Sequence, residues 1–272
     1  MFGPYTASGP GSGRGRGRRV GLPERGGAVT PEQVAAASKP VVLDLGDAFS
    51  RDPTTLRRAR LLGVSGWAFY ISGRAGALGG VRAETAAAAL GFIAPDAVAD
   101  GWDAAARVVP PFEVAAASLA ECCRWGAQQL GPLPGTERLS ALVERAVVAA
   151  EASGMPLFAA WRAMPLPDLS PGARSAAGLR LLREHFTGAY LLAVRAAGMT
   201  PLEAVLAGPE GEAGAVACGW PPPYPPIGPL VRRRLWAEAA TNRLAAPAFT
   251  ALGPADGAEL VELLHHTRAD LG

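Results

Sequence analysis

From residue 30 onward the chain is punctuated as helices are. Thr30-Pro31 pairs a hydroxyl N-cap with proline at the first helical position, Ser170-Pro171 repeats the pairing, and Gly253-Pro254 marks a similar start. Between such starts, apolar residues return every three or four positions. After Thr136, the residues Leu139, Leu142, Val143, Ala146 and Ala150 share one stripe; Glu137, Glu144, Arg145 and Glu151 lie mostly elsewhere, and Gly154 stops the run. The same reading predicts helices near 54–62, 66–75, 82–90, 95–107, 111–130, 156–163, 171–197, 201–207, 229–250 and 255–269. Strand candidates are few and short, Val41-Val42-Leu43 among them. Alanine is the best helix former and the smallest chiral side chain, so alanine-rich helices can approach closely. The expected fold is all-α, a compact multi-helix bundle with a helical domain over 31–207 and C-terminal helices over 230–272 on the same core.

Composition matters at the two places where this pattern breaks. Residues 1–30 hold five arginines against one acid, Glu24, and so carry +4 of a chain whose net charge is +2; the other 242 residues carry −2. This Gly/Arg-rich tail lacks the apolar residues to order itself. It reads as a disordered solvated tail, as an upstream stretch outside the true translation start, or as a phosphate-neutralising nucleic-acid binder. Residues 208–229 form a proline-rich connector, in which Gly219-Trp220-Pro221-Pro222-Pro223-Tyr224-Pro225-Pro226 must be extended. Packing of Trp220 or Tyr224 against the bundle is the expected role. With no signal peptide and no apolar run of roughly 18 residues, the expectation is a cytoplasmic protein without a membrane partner.

Familiar catalytic signatures are missing. There is no phosphate loop, no nucleophile elbow, and no glycine fingerprint between a strand and a helix. Cys122, Cys123 and Cys218 have neither zinc-site spacing nor a disulfide framework. Cys123 falls on a stripe with Phe112, Ala116, Leu119 and Leu130 and reads as a small core residue. No metal and no identifiable cofactor is indicated.

Two polar placements stand out. On the helix over 66–75, Trp67, Ile71, Arg74 and Leu78 fall within about 40° of one another, with Tyr70 on the flank. An arginine in an apolar stripe requires a partner, either a buried acid or helix C-terminus, or a ligand's carboxylate or phosphate. On the helix over 171–197, His185 lies roughly 80° from the centre of the stripe of Leu179, Leu182, Phe186, Ala189 and Tyr190, and Glu184 points nearly opposite. His185 is either a boundary histidine with a structural hydrogen bond or a pocket residue. His265 and His266 read as solvated.

Several segments together resemble an uncharacterised actinobacterial family. They are Phe69-Tyr70-Ile71-Ser72-Gly73-Arg74, then Gly154-Met155-Pro156-Leu157-Phe158, Leu181-Leu182-Arg183-Glu184-His185 and Thr241-Asn242-Arg243-Leu244, in order across about residues 35–270. The resemblance implies an all-α domain followed by a degenerate winged-helix-like segment of transcription-regulator type, in a divergent member. A Glu-Pro-x-His of that pattern stands here as Lys39-Pro40-Val41-Val42, a Trp-His as Ala176-Ala177, and an Arg-Gly-Asp-Gly-His as Phe186-Thr187-Gly188-Ala189-Tyr190. Leu230-Val231-Arg232-Arg233-Arg234 follows the prolines directly, so the C-terminal part is either a shortened winged helix or purely helical.

The expectation is therefore a small-molecule-binding helical protein, an enzyme or accessory factor of actinobacterial specialised metabolism being one such form. The expected ligand residues are Trp67, Tyr70, Arg74, Trp161 and His185, with Arg74 holding an anionic group between aromatic walls. The alternative is a winged-helix-derived DNA-binding regulator. The −2 of residues 31–272 makes nucleic acid an unlikely partner on charge. Alanine-rich helix surfaces are compatible with a homo-oligomer.

Overall fold

A computed structural model describes residues 28–166 and 170–272; the Gly/Arg-rich tail, apart from its last three residues, lies outside them. The described chain folds into thirteen α-helices: α1 (Pro31–Ala48), α2 (Pro53–Leu61), α3 (Gly66–Ala75), α4 (Ala83–Leu90), α5 (Pro95–Ala106), α6 (Pro111–Gln129), α7 (Thr136–Ala149), α8 (Pro156–Arg162), α9 (Pro171–Ala196), α10 (Pro201–Leu206), α11 (Gly211–Ala217), α12 (Leu230–Thr250) and α13 (Gly253–Leu271). The fold is all-α, and among the described residues there is no strand, so the C-terminal part is helical and carries no wing hairpin. None of these helices is long and apolar enough to cross a membrane.

The predicted caps explain several of these boundaries. Thr30 accepts from the Gln33 amide while the Gln33 side chain accepts from the Thr30 amide, a reciprocal box that satisfies two otherwise orphaned donors at the start of α1. Ser170 accepts from the Ala173 amide ahead of Pro171. Val41-Val42-Leu43 is not a strand but the middle of α1, because Thr30-Pro31 starts a helix that runs on past Pro40 and whose inner face buries Val34, Val41, Val42 and Leu45. The stripe assigned to α6 is rotated from the expected one. Phe112 and Ala116 are exposed, and Val114, Ala115, Leu119, Cys122 and Cys123 face the core, since neighbours cover that side.

The long helix α9 is the axis of the molecule. It packs against α1, α6, α7, α8 and α12, and every residue from Ser175 to Phe186 is buried. A helix enclosed on all sides has no solvated face to which polar residues can be assigned. Small residues make the enclosure tight. A Cβ at Gly126 of α6 would stand 2.4 Å from the Ala176 Cβ and 2.5 Å from the Gly172 carbonyl oxygen of α9. The C-terminal helices join the same core, where Phe249, Leu252, Leu260 and Leu264 bury beside Leu142, Leu179 and Phe186.

Candidate functional site

The buried arginine finds its anion inside the protein. Arg74, near the end of α3, grips Glu184 of α9 side-on, Nε to Oε1 at 3.0 Å and Nη2 to Oε2 at 2.8 Å. Arg183 donates from Nη1 to the same Oε1 at 2.9 Å and faces Asp47 of α1 across 3.5 Å. Both guanidiniums also reach the Tyr70 hydroxyl at 3.3–3.4 Å. Burial opposes ionisation of Glu184, but Arg74 and then Arg183 outweigh it and hold the carboxyl at about 2. Glu184 does point away from the apolar stripe of α9, as the helical wheel indicates; that side is buried as well, because α3 and α1 cover it.

A third arginine completes this cluster from the other direction. Arg180 donates from Nη2 to the Gly73 carbonyl at 2.7 Å, and Trp161 donates its indole N–H to the Arg74 carbonyl at 2.8 Å. These two carbonyls belong to the last turn of α3, where the helix leaves acceptors unpaired and favours a cation. Arg180 lies over the Trp161 ring at 4.1 Å and over Phe49 at 4.9 Å. The cavity beside Tyr70, Arg74 and Arg180 has a volume of about 10 Å³, room for one water. The arrangement is a clamp that ties α1, α3, α8 and α9 together.

The five residues expected to bind ligand thus divide. Tyr70, Arg74 and Trp161 meet in this clamp. Trp67 stacks on Tyr70 with ring centres 6.0 Å apart, and its indole N–H donates to the Ala97 carbonyl of α5. His185 does not join them. It is wholly buried, edge-on to Phe158 at 5.0 Å and Phe186 at 6.3 Å, and neither ring nitrogen has a partner of hydrogen-bond geometry. Burial drives its pKa down to about 4, with the Glu151 backbone lying near enough to oppose part of that shift. It is therefore a core residue rather than a boundary one. His265 and His266 are exposed.

A pairing that the residue-by-residue reading missed joins α4 and α5. The two helices pack together across a four-residue turn, Gly91–Ala94, in which Gly91 has φ +69°. α2 and α3, and α10 and α11, are also joined by four residues; α3 is buried almost throughout, whereas α5 keeps one face in solvent. A family model described as a helix-turn-helix family matches residues 28–223. The chain belongs to that helix-turn-helix family. No curated protein matches the chain, and no solved structure does. The match ends before α12 and α13.

The second helix of the α4–α5 pair has an acidic open face. Its exposed side chains include Asp96, Asp100 and Asp103, and no residue of α5 is basic. The start of the helix is also covered by residues 218–220. The Ala94 amide donates to the Cys218 carbonyl, the Trp220 indole donates to the Phe92 carbonyl at 2.9 Å, and a Cβ on Gly219 would stand 2.5 Å from the Ala97 Cβ. Trp220 thus anchors the proline-rich segment on the α4–α5 pair. That segment also contains a short helix, α11.

An open cavity lies on the other side of this turn. It has a volume of about 260 Å³ and lies between α1, α9, α10, α11 and α12. Leu43, Phe92, Phe186 and Val205 contribute apolar wall, and Phe92 stacks on Tyr190 at 5.2 Å. On one side Glu238 pairs with both Lys39 and Arg234, the latter at 3.0 Å. Two of the three stretches that depart from the resembled pattern, 39–42 and 186–190, supply Lys39, Pro40, Phe186, Thr187 and Tyr190 to this wall; the third, Ala176-Ala177, is buried in the core.

Proposed function

We propose that this member of the helix-turn-helix family is a ligand-binding protein that holds a small, largely apolar molecule between α1, α9 and α12. The observation that carries this reading is the 260 Å³ cavity, with aromatic and aliphatic walls and a charged cluster of Lys39, Arg234 and Glu238 at one side. Arg74 serves the fold in this reading, because its anion is Glu184 and the space beside it admits one water. Leu43→Trp places an indole in the cavity and is expected to abolish binding of apolar probes such as 1-decanol without lowering the melting temperature. Undiminished binding in that variant places the ligand elsewhere.

Family membership favours a second reading, a DNA-binding regulator. Against it stand the acidic open face of α5 and the cover over its first turn, since groove-reading helices contact bases from their N-terminal residues. Exposed arginines stand on α2, at Arg57, Arg58 and Arg60, within the matched stretch, and on α12, at Arg232 and Arg233, outside it. A gel shift with residues 28–272 is expected to show no duplex binding at about 0.15 M salt; a retained complex reverses the ranking.

A further inference from the structure

The charges at the cavity wall specify the kind of molecule it takes. Lys39 of α1 and Arg234 of α12 converge on one carboxylate, Glu238, whose Oε2 takes the lysine and whose Oε1 takes the arginine. Two cations are thus served by one anion. The Arg234 Nε is buried and has no hydrogen-bond partner. Of the other acids on this wall, Asp44 is held by Arg51 at 3.4 Å and Arg268 at 3.1 Å, and Glu210 is engaged as well. Tyr190 lies beside the same cluster with Phe92 stacked on its ring. Its hydroxyl stays protonated, because burial and then Glu238 push its pKa up to about 12, so it can donate.

We infer that the ligand is an amphipathic monoanion, a carboxylic acid with an aliphatic or aromatic body, whose head group sits at Lys39, Arg234 and Tyr190 while its body lies on Leu43, Phe92, Phe186 and Val205. This rests on the cavity being the ligand site, and goes beyond it in assigning the head group. A carboxylate there gives the buried Arg234 nitrogen an acceptor and shares Lys39 with Glu238. Charge-assisted bonds of this kind strengthen where water is excluded.

Calorimetric titration of the full chain with octanoate and decanoate, against 1-octanol and 1-decanol, tests it. The acids are expected to bind about tenfold or more tightly than the alcohols, as one charge-assisted bond implies. Lys39→Met should weaken the acids by a similar factor and leave the alcohols unchanged. Glu238→Gln, which removes the competing carboxylate, should strengthen the acids. Circular dichroism melts check that both variants fold. Equal binding of acids and alcohols, insensitive to Lys39→Met, overturns the head-group assignment and leaves the cavity reading standing. Failure of both classes to bind overturns both, and acid binding that survives Leu43→Trp assigns the anion to another place.

Discussion

Glu184 and His185 are adjacent in the chain and solve burial in opposite ways. Glu184 stays charged because two arginines converge on it; breaking such a buried pair typically costs about 3–5 kcal/mol, since the remaining charges lose their partner. His185 has no charged partner and stays neutral. Its pKa is about 4 in the folded protein against an ordinary 6.5, so the unfolded chain takes up the proton first. Full stability is therefore present above 6.5 and falls as the pH drops through 6.5 toward 4, by about 3 kcal/mol in total. The Glu184 contribution is present above 4.5 and is lost only as the pH falls toward 2, outside that window. Urea unfolding at pH 7 and pH 5 should show a loss for the natural chain that His185→Leu largely removes. An unchanged loss in the variant assigns the pH dependence to other groups. At this scale the anomaly of Arg74 was legible, because an arginine in an apolar stripe needs a partner. Which partner was not, since Glu184 arrives from 110 residues away.

At the scale of elements, caps and periodicity were read nearly to the residue for α3, α5, α6, α8 and α9, because hydroxyl or proline starts and glycine stops act within a turn of themselves. Whether a helix has one buried face or none is a different kind of property. The wheel of α9 shows a stripe, yet its opposite side is covered too, which is why the roles of Glu184 and His185 were displaced inward. The crossing of α6 and α9 depends on Gly126 and Gly172 being bare at their contact. Gly126→Ala should lower stability by about 1–3 kcal/mol through overpacking, even though alanine favours helix. A thermal melt that rises in that variant means the backbones can part at no cost. α4 and α5 were each legible, but not their pairing, because the pair rests on α3 and the turn at Gly91 lies against Leu191 and Tyr190 of α9.

At the scale of the whole molecule, the family match ends at residue 223 while the core does not. α12 packs on α1 and α9, and α13 packs on α1 and α7, so the matched stretch alone leaves those faces bare. A chain ending at residue 223 is expected to show no cooperative melt, whereas residues 28–272 melt in one transition. A cooperative melt of the shorter chain makes α12 and α13 an accessory layer. The cavity obeys the same logic, since Lys39, Tyr190 and Glu238 come from α1, α9 and α12 and form a wall only when those three helices have met.

Local chemistry written along the chain, hydroxyl caps, prolines at first turns and apolar returns every three or four residues, was enough to establish an all-α fold and most of its helices. Those signals act between atoms a few residues apart and need no knowledge of the rest. The identity of Arg74's anion, the neutrality of His185, the acidic open face of α5 and the place of the cavity were settled by packing. Each depends on which surfaces exclude water, and that is decided only when helices far apart in the chain close on one another.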